Sequence, residues 1–231
     1  MMAVVPRPAS TVVLVDENAR VYMTKRPQTM KFFGGFYVFP GGAVEKDDEI
    51  EDSETFIQSK PDESIDKSFY IAAARELFEE VGVLLCETED GTAANLKEAT
   101  AKEYRRQMML GELSFRQMLR KEGLKFSFKC LTPFGHLITP EESPIRYDTR
   151  FFLADLPKGQ TPEPDEHEVG EACWISPADA LAAFQNDEIE LGPPTILALK
   201  TVKNFLEGGP LVMPKLQGQE LFNYRLTFKR E

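Results

Sequence analysis

Short apolar runs bounded by polar turn residues open the chain and predict a β-hairpin. Residues 11–16 and 20–25, TVVLVD and RVYMTK, are rich in β-branched residues and are separated by Glu17, Asn18 and Ala19. A third strand is expected at 36–39, because FYVF is followed at once by a proline and two glycines. Further strand-like runs lie at 126–131, 147–154 and 169–175.

Apolar residues at helical spacing predict an amphipathic helix over 67–81, with Ile71, Leu77, Phe78 and Val81 recurring along it. Gly82 follows where a glycine commonly ends a helix. The polar and acidic residues just before this helix, 45–67, predict an exposed excursion.

Four further helices are expected, at 93–110, at 115–122, from Ser176 onwards, and at 194–206 as the last. Ser114 and Gln117 form a capping box for the second of these, and Ser176 followed by Pro177 opens the third. Strands and helices interleave without a repeat or a linker. We therefore expect residues 1–231 to form a single α/β domain with a mixed β-sheet.

Composition and charge narrow the class of protein. The 231 residues are 42% hydrophobic and 28% charged, which is ordinary globular usage and excludes disordered and fibrous classes. The net charge of −11 opposes non-specific binding to nucleic acid or to anionic membranes. Nucleic acid is therefore not expected as a partner.

Cysteine usage and the start of the chain predict a cytoplasmic protein. The three cysteines are scattered and form no CxxC pair, which favours free thiols in a reducing compartment: Cys86, Cys130 and Cys173. Pro6, Arg7 and Pro8 interrupt the first apolar run, which argues against a signal peptide. No stretch approaches the ~18–20 apolar residues that a membrane span needs.

Residues 75–83, RELFEEVGV, bring together groups that can do chemistry. On a helix, Glu76 and Glu80 share a face, and Glu79 lies at its edge. Such carboxylates repel one another unless a cation lies among them. Hard oxygen ligands of this kind suit Mg²⁺ or Mn²⁺, which bind together with substrate phosphates. Arg75, four residues before Glu79, is expected to hold that carboxylate through a forked hydrogen bond.

This segment resembles the second half of the Nudix hydrolase signature, R-E-U-x-E-E-x-G-U with U apolar, at every position. The resemblance implies a Nudix fold, in which a mixed sheet lies between helices. It also implies metal-dependent hydrolysis of a pyrophosphate bond in a small nucleotide substrate, and a homodimer. The implied ligands of Mg²⁺ or Mn²⁺ are Glu76, Glu79, Glu80 and the Gly42 carbonyl.

The first half of the signature is a glycine followed six positions later by an acid. Gly42 and Asp48 have that spacing, although the family normally has glutamate in place of Asp48. Residues 43–74 then separate Gly42 from Arg75, which is 19 residues more than in the usual signature. We therefore expect an acidic insertion at about 45–67 inside the signature and a helical insertion at about 93–122.

A second motif lies upstream. Thr24, Arg26, Gly35 and the FPGG run at 39–42 resemble, at the same spacing, the coenzyme A signature of some Nudix hydrolases. Lys31 stands where arginine is usual; it keeps the positive charge but loses the bidentate fork. The candidate substrate-binding residues are Arg26, Lys31, Gly41, Gly42 and Arg150.

A wider resemblance covers most of the chain. The runs at 78–85, 138–140, 147–153, 171–174 and 192–195 are similar to acyl-coenzyme A diphosphatases of the nucleoside diphosphate-linked moiety X motif 19 type. This implies cleavage of coenzyme A or acyl-coenzyme A to 3′,5′-ADP and (acyl-)4′-phosphopantetheine. ADP-ribose, NADH and cap nucleotides are the alternative substrates. A non-catalytic Nudix domain that senses a nucleotide is the alternative from another class.

Hydrolysis also needs a general base that reaches the attacking water. Glu79 and Glu80 are candidates, and so are Glu168 and Glu171, since Nudix enzymes often place a distal acid in this part of the chain. The sequence does not rank them. His136 and His167 belong to no ligand-spaced pair and are expected to be surface or hydrogen-bonded residues. The Met- and Leu-rich segment 93–122 is expected to pack in the core rather than to form an acyl pocket.

Overall fold

The computed structural model describes residues 4–30, 33–49, 57–58, 64–165, 169–216 and 218–229. Its main sheet contains β1 (Arg7–Val15), β2 (Val21–Lys25), β3 (Tyr37–Val38), β4 (Gly41–Ala43), β8 (Thr132–Ile138), β9 (Tyr147–Asp155) and β10 (Glu171–Ile175). The strand order is β10-β2-β1-β9-β8, with β3 paired to β2 and β4 to β1. The β1–β9 pair is parallel and the others are antiparallel, so the sheet is mixed, as predicted.

A small second sheet has the order β5-β7-β6. It consists of β5 (Ile57–Gln58), β6 (Cys86–Glu87) and β7 (Lys125–Ser127). The helices of the described residues are α1 (Lys67–Val81), α2 (Glu98–Met109), α3 (Phe115–Glu122), α4 (Pro177–Gln185), α5 (Pro193–Leu206) and α6 (Gln219–Phe228).

The alternation of side chains along β1 shows where the two halves of the core lie. Val12 and Leu14 pack with residues of α1, α2 and α3, whereas Val13 and Val15 pack with residues of α4, α5 and α6. The main sheet therefore lies between two helical layers, which confirms the predicted arrangement. None of the helices in the described part of the chain is both long and apolar enough to span a bilayer.

Helix α1 has the predicted bounds because both of its ends are capped. The side chain of Asp66 accepts a hydrogen bond from the Ser68 N–H at 2.9 Å. At the other end Gly82 adopts a left-handed φ of 72°, and its N–H donates to the Phe78 carbonyl at 2.9 Å.

Two predicted boundaries were wrong, and two elements were not predicted. Helix α2 begins at Glu98 rather than at 93, because the Ala94 N–H pairs with the Cys86 carbonyl. The strand expected at 126–131 ends at Ser127 and passes into a 3₁₀ turn, Phe128–Cys130. Strand β8 was not predicted, since Pro133 and Gly135 interrupt its pattern and the pairing with β9 shifts register between them. The prediction that α5 is the last helix was also wrong, because α6 follows it.

Several side-chain predictions are confirmed. Met108, Met118 and Leu119 are buried in the core beside α1. His136 is exposed, with its Nε2 2.6 Å from the Asp148 carboxylate. The three cysteines are free thiols. His167 and about half of the acidic insertion, residues 50–56 and 59–63, lie outside the described residues.

Candidate functional site

Helix α1 carries its carboxylates at the boundary between core and solvent. Leu77, Phe78 and Val81 are fully buried, and this fixes the rotation of the helix. Glu76, Glu79 and Glu80 are consequently half-buried. The helical register predicted from the sequence thus places all three at one edge of the core.

Arg75 links these carboxylates to Ala43 and Asp48, which precede it by 32 and 27 residues in sequence. Its Nε and Nη2 donate to the two oxygens of Asp48, both at 3.0 Å, and Nη2 also donates to the Ala43 carbonyl at 2.9 Å. Its Nη1 donates to Glu76 Oε1 at 2.9 Å and to Glu79 Oε2 at 2.7 Å. The expected Arg75–Glu79 contact is therefore present as a single bond, and the fork that was expected there is made to Asp48 instead.

The Arg75 network is buried and charged. Burial alone disfavours the charged guanidinium, but the hydrogen bonds to Asp48 and the charge of Glu76 raise the pKa of Arg75 well above its ordinary value. Asp48 is itself 1% exposed, and its Oδ2 also accepts from the Glu45 N–H at 2.8 Å. Asp48 thus meets Arg75 even though the insertion separates them in sequence.

Two glycines let the backbone approach the carboxylates closely. A Cβ on Gly42 would lie 2.4 Å from Glu76 Oε1, and one on Gly41 would lie 2.2 Å from the Ser10 carbonyl oxygen. The Gly41 N–H donates to Glu80 Oε2 at 3.3 Å. Any side chain at position 42 would therefore have to displace the Glu76 carboxylate.

These groups face a cavity of about 300 Å³. Glu76, Glu80 and the two glycines line one part of it, and Arg26 lines another. The buried Nε of Arg26 has no hydrogen-bond partner among the described residues. Glu79 is turned towards Arg75 and is not part of the lining. The cavity therefore combines carboxylates with an available cationic donor.

The coenzyme A-like motif forms the hairpin between β2 and β3. The Arg26 N–H donates to the Phe36 carbonyl and the Gly35 N–H to the Arg26 carbonyl, both at 3.0 Å. Gly35 has a left-handed φ of 82°, which a side chain would strain. Thr24 lines the cavity beside Arg26. Lys31 lies outside the described residues.

Glu171 was predicted as a distal catalytic acid, but the structure does not place it in the cavity. Glu171 begins β10 on the same face as Cys173 and Ile175, and it is not among the residues that line the cavity. Its carboxylate accepts from Tyr37 Oη at 2.8 Å and from Lys25 Nζ at 3.1 Å. These two bonds lower the pKa of Glu171, which makes it a weaker proton acceptor. Glu168 lies outside the described residues.

Arg150 was predicted to bind substrate phosphates and also lies away from the cavity. On β9, Thr149 and Phe151 line the cavity, and the alternation of the strand directs Arg150 to the other face. Its guanidinium carbon is 5.4 Å from the centre of the Phe69 ring. The structure thus brings Arg26, but not Arg150, to the carboxylates.

The donor set fits a magnesium-like ion that substrate phosphates help to hold. Within the described ranges, no three His, Cys, Asp or Glu side chains are arranged to enclose an ion by themselves. Mg²⁺ is commonly bound by only one or two carboxylates plus substrate phosphates. Glu76 and Glu80 supply two such carboxylates to one cavity.

Sequence reasoning did not single out Arg105, which lies on α2. The side chain is buried: Nε donates to the Glu79 carbonyl at 2.8 Å, Nη2 to the Glu80 carbonyl at 3.0 Å and Nη1 to the Glu163 carbonyl at 2.9 Å. The sequence did contain a clue to this burial: Arg105 lies three residues before Met108, and residues three apart share the face of α2 that packs in the core.

Comparison with known proteins agrees with this geometry. The family profile of the NUDT19 Nudix domain matches residues 55–202. A protein named putative nudix hydrolase 7 from Caenorhabditis elegans is 29% identical over 191 residues, covering 83% of this chain and 58% of that protein. The acyl-coenzyme A diphosphatase NUDT19 of Homo sapiens is 27% identical over 239 residues, covering 82% and 62%. The chain thus spans about three fifths of the length of these two relatives.

A solved structure shows the same fold. The crystal structure of a Nudix hydrolase from Alicyclobacillus acidocaldarius superimposes with a TM-score of 0.81 at 27% identity, covering 93% of this chain and 100% of that one.

Proposed function

The chain belongs to the Nudix hydrolase family, in the group defined by the NUDT19 Nudix domain, and we propose that it hydrolyses the pyrophosphate bond of coenzyme A or acyl-coenzyme A. The products are 3′,5′-ADP and (acyl-)4′-phosphopantetheine. One observation carries the proposal: Glu76, Glu80, the Gly41–Gly42 backbone and the unpaired Nε of Arg26 meet in a single cavity. The human relative named acyl-coenzyme A diphosphatase supports the choice of substrate.

Glu76 and Glu80, with the Gly42 carbonyl, are the groups that would hold Mg²⁺ or Mn²⁺. When bound, such an ion neutralises phosphate charge and lowers the pKa of a bound water. Arg75 is held by its fork with Asp48 and fixes Glu76 through one hydrogen bond from Nη1, so that this carboxylate keeps its position when substrate enters. Glu79 receives the second bond of the same nitrogen and supports this arrangement from outside the cavity.

The remaining groups act on the phosphates and on water. Arg26 is placed to donate its free Nε–H to a phosphate oxygen. Of the four predicted bases, Glu80 is the one among the described residues that lines the cavity, and we assign to it the proton of the attacking water. Water adds to one phosphorus, and the bridging oxygen leaves with the electron pair of the broken P–O bond.

The test is mass spectrometry of products after incubation with Mg²⁺ and coenzyme A, an acyl-coenzyme A or ADP-ribose, each separately. We expect 3′,5′-ADP from both coenzyme A substrates. Glu80→Gln should reduce its formation by about a hundredfold or more. Glu17→Gln, which changes an exposed glutamate in the β1–β2 turn, is the matched control and should leave the rate unchanged.

Two further results separate the alternatives. AMP from ADP-ribose, with coenzyme A intact, would show that the coenzyme A assignment is wrong while pyrophosphate hydrolysis is right. Chelation by EDTA should abolish turnover, and added Mg²⁺ should restore it. Arg26→Ala should raise the KM for coenzyme A by more than it lowers kcat, because the proposed contact is made in the ground state as well.

A further inference from the structure

A second cavity of about 540 Å³ adjoins the carboxylate cavity. The two share part of their walls, namely Phe33, Thr139, Thr149, Phe151 and Pro194. The second cavity continues away from the carboxylates to Phe36, to Leu137 on β8 and to Leu221 and Leu226 on α6. A ligand whose pyrophosphate lies beside Glu76 and Glu80 can therefore extend into it without crossing the core.

We propose that this second cavity binds the pantetheine arm of the substrate, so that the substrate enters with its pantetheine half towards α6. The inference rests on the proposed function, since it assumes that coenzyme A is cleaved at the first cavity. It adds the orientation of the substrate and the residues that recognise one half of it.

The walls of the second cavity favour an uncharged and largely apolar group. Phe36, Leu137, Leu221 and Pro193 present carbon atoms, and a dimethyl group and methylenes gain free energy when such walls remove them from water. Thr149 places a hydroxyl group at the junction of the two cavities, where the first amide of the arm would pass. Both the apolar and the amide parts of pantetheine thus find matching surroundings.

The same walls oppose the other half of coenzyme A, which carries an additional 3′-phosphate. Arg225 is the cation among the described lining residues, and it is already engaged. Its Nε donates to the Leu191 carbonyl at 2.9 Å, its Nη2 pairs with Glu190, and its guanidinium carbon lies 5.3 Å from the centre of the Phe36 ring. Glu142 adds a negative charge to the lining. A buried phosphate would therefore lack a charge partner there.

Leu226 provides a test that leaves the fold intact. It lines the second cavity but not the first, and it is 55% exposed. Leu226→Glu introduces a charged group of similar length with good helix propensity. Leu110→Glu is the matched control, because Leu110 is 61% exposed and lines neither cavity. Circular dichroism and thermal melting establish that both variants fold.

Binding of each half of the substrate is measured by calorimetry, using 4′-phosphopantetheine and 3′,5′-ADP as separate probes. Leu226→Glu should weaken the binding of 4′-phosphopantetheine by about fivefold, because the ligand no longer buries part of a leucine side chain. Its affinity for 3′,5′-ADP should be unchanged, and Leu110→Glu should change neither. In turnover, Leu226→Glu should raise the KM for coenzyme A, and Leu110→Glu should leave it unchanged.

Opposite results overturn the inference. If Leu226→Glu binds 3′,5′-ADP more weakly but binds 4′-phosphopantetheine as before, the nucleotide half lies in the second cavity. Cleavage of coenzyme A with normal binding of both halves by Leu226→Glu would refute the subsite while the proposed function stands. If the unaltered protein neither cleaves coenzyme A nor binds 4′-phosphopantetheine, both proposals are wrong.

Discussion

Replacing Arg105 by methionine is expected to loosen the end of α1 that bears Glu79 and Glu80. Methionine retains much of the side-chain volume but removes three hydrogen bonds from the guanidinium to backbone carbonyls. The Glu80 carbonyl keeps a second donor, the Asp165 N–H at 2.8 Å. The main loss is therefore at the Glu79 and Glu163 carbonyls.

The size of the effect follows from these contacts. A hydrogen bond to a charged group contributes ~1.5–3 kcal/mol net. Two such losses amount to ~3–6 kcal/mol, and removing a buried charge offsets part of this. We expect the free energy of unfolding to fall by about 3 kcal/mol. For a protein of this size that lowers Tm by roughly 6–12 °C.

Thermal and urea unfolding measure the stability, and kcat for coenzyme A reports on the position of the carboxylates. Arg106→Met is the matched control, because Arg106 is exposed and pairs with the exposed Glu103, a kind of surface pair that contributes little. Arg105→Lys should fall between, since an ammonium cannot reproduce the fork. If Arg105→Met and Arg106→Met unfold at the same temperature, the reasoning about the end of α1 is refuted.

Three further changes test other parts of the structure. Asp48→Asn breaks the buried pair with Arg75 and should cost about 3–5 kcal/mol in urea unfolding; an unchanged midpoint would contradict the network. Gly42→Ala places a methyl group against Glu76 and should lower kcat by about a hundredfold, whereas Gly170→Ala, whose Cβ would have no neighbour nearer than 3.5 Å, should not. Burial raises the pKa of Tyr22 to about 12, so the stability conferred by its neutral phenol is complete below pH 10 and is lost as pH rises towards 12. Between pH 9 and pH 12, the free energy of unfolding measured with urea should therefore fall by up to ~2 kcal/mol less in Tyr22→Phe than in the unaltered protein. An equal fall in both proteins would contradict the raised pKa.

Local signals allowed α1 and its carboxylates to be predicted from sequence. The spacing of Leu77, Phe78 and Val81 sets the buried face, and Gly82 ends the helix, so the positions of Glu76 and Glu80 follow without tertiary information. Helix α6 had no comparable signal, because it is stabilised by packing of Leu221 and Phe228 against the second half of the core.

The direction of side chains on strands could not be predicted in the same way. Glu171 and Arg150 have suitable chemistry, but each belongs to a strand on which one step reverses the face of the sheet. Arg105 shows the reverse case. Its sequence neighbourhood is as basic as that of Arg106, and only the docking of α2 on the end of α1 distinguishes them.

The interrupted signature shows which of its spacings are physically required. At the start of the insertion, Arg75 fixes Asp48, and the Glu49 carbonyl accepts a hydrogen bond from Arg116 Nη1 at 2.8 Å. At its end, Asp66 caps α1. Both ends of the insertion are therefore held by contacts that do not involve its length. Lengthening a connection by 19 residues adds only about 1 kcal/mol of closure entropy. Leaving one partner of a buried ion pair without the other costs more, ~3–5 kcal/mol. The distance between the two halves of the signature in sequence is thus free to vary, whereas the contact between Asp48 and Arg75 is not.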